Sequence, residues 1–362
     1  MNKKYYLYIG LILSLLLFGC EKAENNQADL SERNIVGQET ETEIKSEILE
    51  GPKELVSEFM VRYFTIHMKE RPVMIFEMKE KQSTSFSYVI SRMQDDYTWK
   101  SEKLDWNNAK IKKKSLSLLS VAMNERNEIW GVFASSQALQ KGKTNTTLIK
   151  LFSDGKSEEV QMKSASDKGL LQNIIFASNN KLVLQYFIIE SLSNDEDRNS
   201  PYDTVVYDTV NEKILLEDNS VGFLGQNIDE NLVICDVDSE NKCVTGKKIG
   251  EKISEFALKC ENELPTSYSI VKKDDTIYYM LDAGLYGGKV TEKNVKKIIS
   301  SEKMILPNKT NLSEELKQYS DSITNDMAIA SIYKVPGEDK EFLCLTKKGY
   351  DTQAAQWVHY YE

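Results

Sequence analysis

Asn127-Glu-Ile-Trp-Gly-Val-Phe133 opens on a polar turn and runs directly into a β-branched and aromatic strand. The phrase returns as Asn180-Lys-Leu-Val183, Glu230-Asn-Leu-Val233 and Asp275-Thr-Ile-Tyr278, with Glu341-Phe-Leu343 as a weaker copy and Ile75 in an earlier one. Taking Ile75, Ile129, Leu182, Leu232, Ile277 and Phe342 as anchors gives spacings of 54, 53, 50, 45 and 65 residues. Between the anchors lie further short apolar runs, among them Phe86-Ser-Tyr-Val-Ile90, Thr147-Leu-Ile-Lys-Leu-Phe152 and Thr204-Val-Val-Tyr207. Gly, Asn, Asp, Ser and Lys clusters separate them, which marks an all-β chain rather than βαβ units.

A four-stranded unit repeating every ~40–50 residues has the arithmetic of a β-propeller blade. Six anchors predict about six four-stranded blades, with the repeats over 71–350 inside a domain spanning 51–362. A pair of β-sandwiches is the alternative architecture. The long last interval is assigned to a small helical insertion at Leu312–Tyr319. Before the first blade, Leu55, Phe59, Tyr63 and Ile66 recur at helical spacing, so Glu54–Lys69 reads as a short helical segment packed on the propeller, or as a strand that closes the ring by completing the last blade.

Ser91-Arg-Met-Gln-Asp-Asp-Tyr-Thr-Trp99 resembles a degenerate Asp-box, the hairpin of sialidase-like propellers. Thr98 and Trp99 are in register, Gln94 stands where Asp belongs and Asp96 where Gly belongs. The box folds a blade-edge hairpin even in good copies, so the resemblance implies a fold and carries no catalytic role.

The N-terminus supplies a location. Lys3 and Lys4 precede an almost unbroken apolar run from Tyr5 to Phe18. As a helix at ~1.5 Å per residue, that run is too short for a ~30 Å hydrocarbon core, and it fits a signal peptide over residues 1–19. It ends in Leu17-Phe-Gly-Cys20, which resembles the bacterial lipobox. The resemblance implies cleavage before Cys20, a lipid anchor of the palmitate type on Cys20 and a lipoprotein on the extracellular face of a cell membrane. Phe18 is bulkier than the residue usual there. Residues 20–50 hold no aromatic side chain and are rich in acids, so they read as a disordered tether. Taken together, the chain resembles bacterial surface lipoproteins with a propeller body.

Charge and composition then exclude several partners. Lys+Arg is 46 and Asp+Glu 56, a net −10, and loss of residues 1–19 removes Lys3 and Lys4 to leave −12. Such a balance argues against nucleic acid and against electrostatic adhesion to anionic lipid, leaving the lipid as the membrane contact. Six arginines against 40 lysines suggest an AT-rich genome, compatible with a Gram-positive source.

Motifs for chemistry are sparse. His67 and His359 have no second ligand at metal spacing, so no metal or cofactor is expected. There is no Gly-x-Ser-x-Gly elbow. A sialidase-like site would need three converging arginines, and other glycoside hydrolases would need two facing carboxylates. Gly284-Leu-Tyr-Gly-Gly288 reads as a turn between blade strands, and Lys110–Lys114 as a solvated basic loop. Cys235 and Cys243 flank an expected hairpin turn at Asp238–Asn241, which would place them near-opposite as a candidate disulfide, with buried thiols as the alternative. Trp99, Trp106, Trp130 and Trp357 are the candidate ligand-facing aromatics if the propeller mouth exposes them; inter-blade core is the other use for such rings.

The expectation is therefore a tethered extracellular binding or scaffold protein whose ligand is a carbohydrate or an envelope protein. A glycoside hydrolase or sialidase-like enzyme is one alternative. An accessory to solute uptake is another, although the chain ends at Glu362 without room for a solute-binding module.

Overall fold

The computed structural model describes Ile44–Glu362 apart from 68–70, 80–85, 105, 107–115, 136–145, 153–155, 161–169, 178–179, 188–201, 219–225, 228–231, 239–240, 250–252, 260–269, 274–275, 282–283, 290–294, 301–326, 336, 339–340 and 349–354. The signal peptide, Cys20 and the expected insertion at 312–319 lie outside the described residues.

Strand β1 (Lys45–Leu49) precedes a 3₁₀ turn at Lys53–Val56. The first full sheet is β2 (Met60–His67), β3 (Pro72–Met78), β4 (Ser87–Met93) and β5 (Trp99–Leu104). The second is β6 (Leu116–Met123), β7 (Ile129–Ser135), β8 (Thr146–Leu151) and β9 (Ser157–Val160). The third is β10 (Leu170–Ala177), β11 (Lys181–Phe187), β12 (Tyr202–Asp208) and β13 (Lys213–Asp218). Next come β14 (Gln226–Asn227), β15 (Leu232–Asp238), β16 (Cys243–Ile249) and β17 (Ile253–Lys259). They are followed by β18 (Ile270–Lys273), β19 (Thr276–Leu281), β20 (Gly284–Lys289) and β21 (Lys296–Ser300). The last group is β22 (Met327–Lys334), β23 (Phe342–Lys348) and β24 (Gln356–Tyr361).

Every fourth strand from β2 onward is an inner strand, and the second, third and fourth follow outward by antiparallel pairing. β14 keeps this count but pairs in parallel with β18, through Gln226↔Val271 and Asn227↔Lys272. Two inner strands of neighbouring blades run in the same direction, so this pairing is what adjacent blades at a propeller axis allow. The anchors read from the sequence all fall on second strands, β3, β7, β11, β15, β19 and β23. Ile75, Ile129, Leu182, Ile277 and Phe342 are all buried. A second strand is covered on both faces by neighbouring blades, which explains why these runs are apolar rather than alternating. Gly131 in β7 is needed for close approach: a Cβ there would lie 2.6 Å from Phe133 Cε2 and 3.0 Å from Leu118 Cδ1.

The core is divided among the gaps between blades. One cluster joins the first two sheets through Ile75, Ile90, Leu118 and Phe133. A second joins the second and third sheets through Val132, Leu148, Leu182 and Val205. A third joins the last blade to the first through Leu345 and Trp357 on one side and Met74 and Phe76 on the other, with Leu55 of the 3₁₀ turn wedged among them. The first and last sheets therefore meet, and the ring is closed.

The closing strand corrects the sequence reading in two places. β1 adds to the outer edge of the last blade, giving the order β1-β24-β23-β22, with Lys45 opposite Tyr361 and Leu49 opposite Trp357. Lys45–Leu49 thus belongs to the folded body and not to the 20–50 tether. A mostly exposed edge strand has little buried pattern to mark it, since only Leu49 turns partly inward. The helix expected over Glu54–Lys69 is instead a single 3₁₀ turn followed by β2. A bulge between Met60 and Arg62 inserts one extra residue into the period-two pattern, and the shifted spacing imitates a helical one.

Candidate functional site

Antiparallel order fixes which connections share an end of the ring. First-to-second and third-to-fourth strand turns lie at one end and are short, as at Gln94–Thr98 and Asn124–Glu128. These two turns share a pattern. The first residue's N–H donates to the fifth residue's carbonyl, the fourth residue's N–H donates back to the first, and the fourth residue (Tyr97, φ 61; Asn127, φ 60) is left-handed. Asp96 completes the degenerate Asp-box by accepting from Thr98 N–H at 3.1 Å and Thr98 Oγ1 at 2.6 Å, which lowers its carboxyl pKa. The strand ends at the opposite end are separated in sequence by the longer intervals 105–115, 136–145, 161–169, 188–201 and 301–326 and by the short ones 239–242 and 282–283, and the described crossing from β1 to β2 also lies there. Long connections on a rigid frame are where binding residues concentrate.

At this loop end, Arg62 at the start of β2 stands on a buried acid. Glu77 in β3 is 0% exposed. It accepts from Arg62 Nε at 2.6 Å, Tyr88 Oη at 2.9 Å, Ser117 Oγ at 3.3 Å and the Leu118 N–H at 3.2 Å. Arg62 Nη2 also donates to Ser117 Oγ of the next blade. Three donors and a guanidinium satisfy a carboxylate that burial alone would penalise. Burial first, and the Glu77 charge second, push the Tyr88 phenol up, so it remains a neutral donor. Glu77 is thereby fully engaged in holding Arg62 and in clamping the first two blades.

A second polar cluster sits at the turn end, on the closure seam. His359 of β24 places Nδ1 2.8 Å from Glu47 Oε1 of β1 and Nε2 2.6 Å from Glu341 Oε1. Tyr97 donates to the same Glu341 oxygen and packs its ring 4.6 Å from that of His359, with Arg71 above it at 5.0 Å. Burial would raise the Glu341 carboxyl, but hydrogen bonds from Tyr97 and His359 outweigh it and hold it below the ordinary range. Burial and Glu341 push the Tyr97 phenol up to about 12. The cluster ties β1 and β24 to the first blade.

The sequence-derived aromatic candidates are core residues. Trp106, Trp130 and Trp357 are buried, at 5%, 5% and 0% exposure, and so are not ligand-facing. Trp99 is half-buried and packs 5.6 Å from Trp357 across the seam. Trp130 receives Lys150 over its ring at 4.9 Å, and Lys150 also pairs with Glu128 at 3.0 Å. Each flat ring fills a gap between blades, where its area is most useful.

Of the two alternatives for Cys235 and Cys243, the register disfavours the disulfide. The hairpin register sets Cys235 opposite Gly246 and Cys243 opposite Asp238. The two cysteines are therefore three ladder steps out of line, about 10 Å along the strands, beyond disulfide reach. Cys243 and Cys344 are buried thiols, and burial pushes Cys344 up to about 12. Arg62, Arg71 and Arg92 face Glu77, Asp95 and Glu102 respectively and do not converge on one point. Among the described residues no group of three His, Cys, Asp or Glu side chains has the spacing to hold a metal ion.

Sequence inspection passed over Arg62, Glu77 and the Glu341–His359 pair. One signal was present: Glu77 is an acid inside the otherwise apolar run Val73–Met78, and a charge on a strand covered on both faces requires a partner.

The architecture is that of a β-propeller. No family model matches the chain, and no curated protein matches it. Among solved structures it is similar to the acylaminoacyl peptidase of Pyrococcus horikoshii, at 9% identity and a TM-score of 0.37, over 78% of this chain and 48% of that one. It thus spans about half the length of that peptidase. It is similar to the β-propeller domain of the Trilobed protease from Pyrococcus furiosus, at 10% identity and a TM-score of 0.39, over 83% of this chain and 94% of that one. It is also similar to the α-L-arabinofuranosidase Arb93A from Fusarium graminearum, at 9% identity and a TM-score of 0.46, over 87% and 96% of the two chains.

Proposed function

We propose that the protein is a lipid-anchored, extracellular binding protein whose propeller presents its loop end to a carbohydrate or an envelope partner. The observation that carries this reading is that the sequence intervals between strands are short at one end of the ring and mostly long at the other. A rigid ring with variable loops gathered at one end suits capture, because the frame takes no part in the ordering cost of binding. The location rests on Leu17-Phe-Gly-Cys20 and on the acidic body, which has no attraction of its own for an anionic surface. Among the described residues no helix is long and apolar enough to cross a membrane.

Cys20→Ala should move the protein from the detergent phase of a two-phase extraction to the aqueous phase and into the culture medium. Retention of the variant in the detergent phase would remove the anchor from the account.

A further inference from the structure

We infer that Arg62, framed by Phe59, Val61 and Lys79 at the loop end of the ring, is the contact point for an anionic sugar, one that carries a carboxylate or a phosphate. The inference rests on the binding role proposed above and specifies its ligand.

Three observations converge on Arg62. Its guanidinium is oriented but not consumed. Nε is taken by Glu77 and one Nη2 hydrogen by Ser117, which leaves Nη1 and the second Nη2 hydrogen without an acceptor among the described residues, on a side chain that is 37% exposed. A guanidinium has five donors in a rigid fork, and the edge left open is the one that engages a carboxylate or phosphate in two parallel bonds. A purely structural ion pair between Arg62 and Glu77 has no need of that open edge.

The surroundings are apolar and exposed. Five large apolar side chains are solvent-facing among the described residues, and Val56, Phe59 and Val61 all belong to the short segment leading into Arg62, at 75%, 37% and 42% exposure. Val61 is the extra residue of the β2 bulge, a device that re-aims side chains at strand ends beside functional sites. The Phe59 carbonyl accepts the Lys79 N–H at 2.8 Å, which brings Lys79 to the same strand end, where its ammonium lies over the Phe86 ring at 5.6 Å. An exposed ring at 59 and a guanidinium with an open edge at 62, on one strand end, match a pyranose with a charged substituent, whose CH face stacks on Phe while the anion meets the fork.

The charge is also local. The chain carries a net −10, and Arg62 is paired with the buried Glu77 and close in sequence to the exposed Glu58, so attraction for an anion is confined to the open edge of the guanidinium. That contrast selects for a precise contact over diffuse adhesion.

Isothermal titration of the mature chain with trigalacturonate, glucose 6-phosphate and neutral maltotriose separates the carboxylate and phosphate sources from an uncharged sugar. At least one charged probe should bind where maltotriose does not. Arg62→Lys keeps a cation against Glu77 but loses the fork, and should weaken that binding about tenfold or more. Phe59→Ala removes an exposed ring, should leave thermal unfolding unchanged, and should weaken binding about threefold or more. Charged probes that bind no better than maltotriose, or that bind both folded variants like the parent, would overturn the inference. Maltotriose binding that ignores both variants would do so while leaving the binding role intact. Silence with all three probes would overturn the inference and withdraw the carbohydrate from the proposed function.

Discussion

Removal of Lys45–Leu49 opens the ring. The chain without these residues should lose roughly 4–6 kcal/mol of stability, from a ladder of backbone bonds at about 1 kcal/mol each and from the uncovered edge of β24. For a body of this size that is a fall of roughly 5–10 °C in the thermal midpoint. Leu49 packs in the seam cluster with Trp357, and Glu47 holds His359, so the loss reaches past the edge itself. A bare β24 also offers unpaired N–H and C=O groups, and aggregation on heating should follow. Removal of 20–43 alone should leave the midpoint within a couple of degrees, because that acidic stretch lacks the aromatic content of a packed segment. Paired melting curves of the two deletions check this, and equal midpoints would show that β1 adds nothing.

Glu77→Ala should be the most damaging single change at the candidate site, at about 3–5 kcal/mol, because it strands the Arg62 guanidinium and leaves Tyr88 Oη, Ser117 Oγ and the Leu118 N–H short of an acceptor. The pair Glu77→Leu with Arg62→Met should recover the share of this loss that comes from the stranded guanidinium, and keep the share from Tyr88 Oη, Ser117 Oγ and the Leu118 N–H, which still lack their acceptor. Chemical denaturation of the single and double variants measures the difference. A single variant within 1 kcal/mol of the parent would show that the carboxylate is not a clamp.

The repeat was legible because second strands are covered on both faces. Ile129, Leu182, Ile277 and Phe342 stand at or beside strand starts, and their apolar runs stay unbroken for that reason. Edge strands carry no such signal. Lys45–Leu49 reads as a linker because four of its five residues face solvent, and its structure comes from β24 rather than from its own sequence. The bulge at Val61 hid β2 by breaking its alternation. The polar sites were illegible for a different reason. Glu77 meets Ser117 across forty residues, and Glu47 meets His359 across more than three hundred, and no local spacing encodes such a meeting. Tryptophans drew attention as ligand platforms because they are rare, whereas a propeller of many inter-blade gaps uses its widest rings as filler.

Ring closure by β1 is the claim on which the blade count, the two ends and the Arg62 site all depend. Lys45 and Tyr361 face each other at the first step of the β1–β24 ladder and neither is buried. Directly opposed residues of an antiparallel pair lie about 4.5–5.5 Å apart at Cα, within disulfide reach. A chain carrying Lys45→Cys and Tyr361→Cys should form an intramolecular disulfide on mild oxidation, identified by mass spectrometry of the digested monomer, with a raised thermal midpoint. A chain that stays reduced, or that joins these positions only between molecules, would contradict the closed ring.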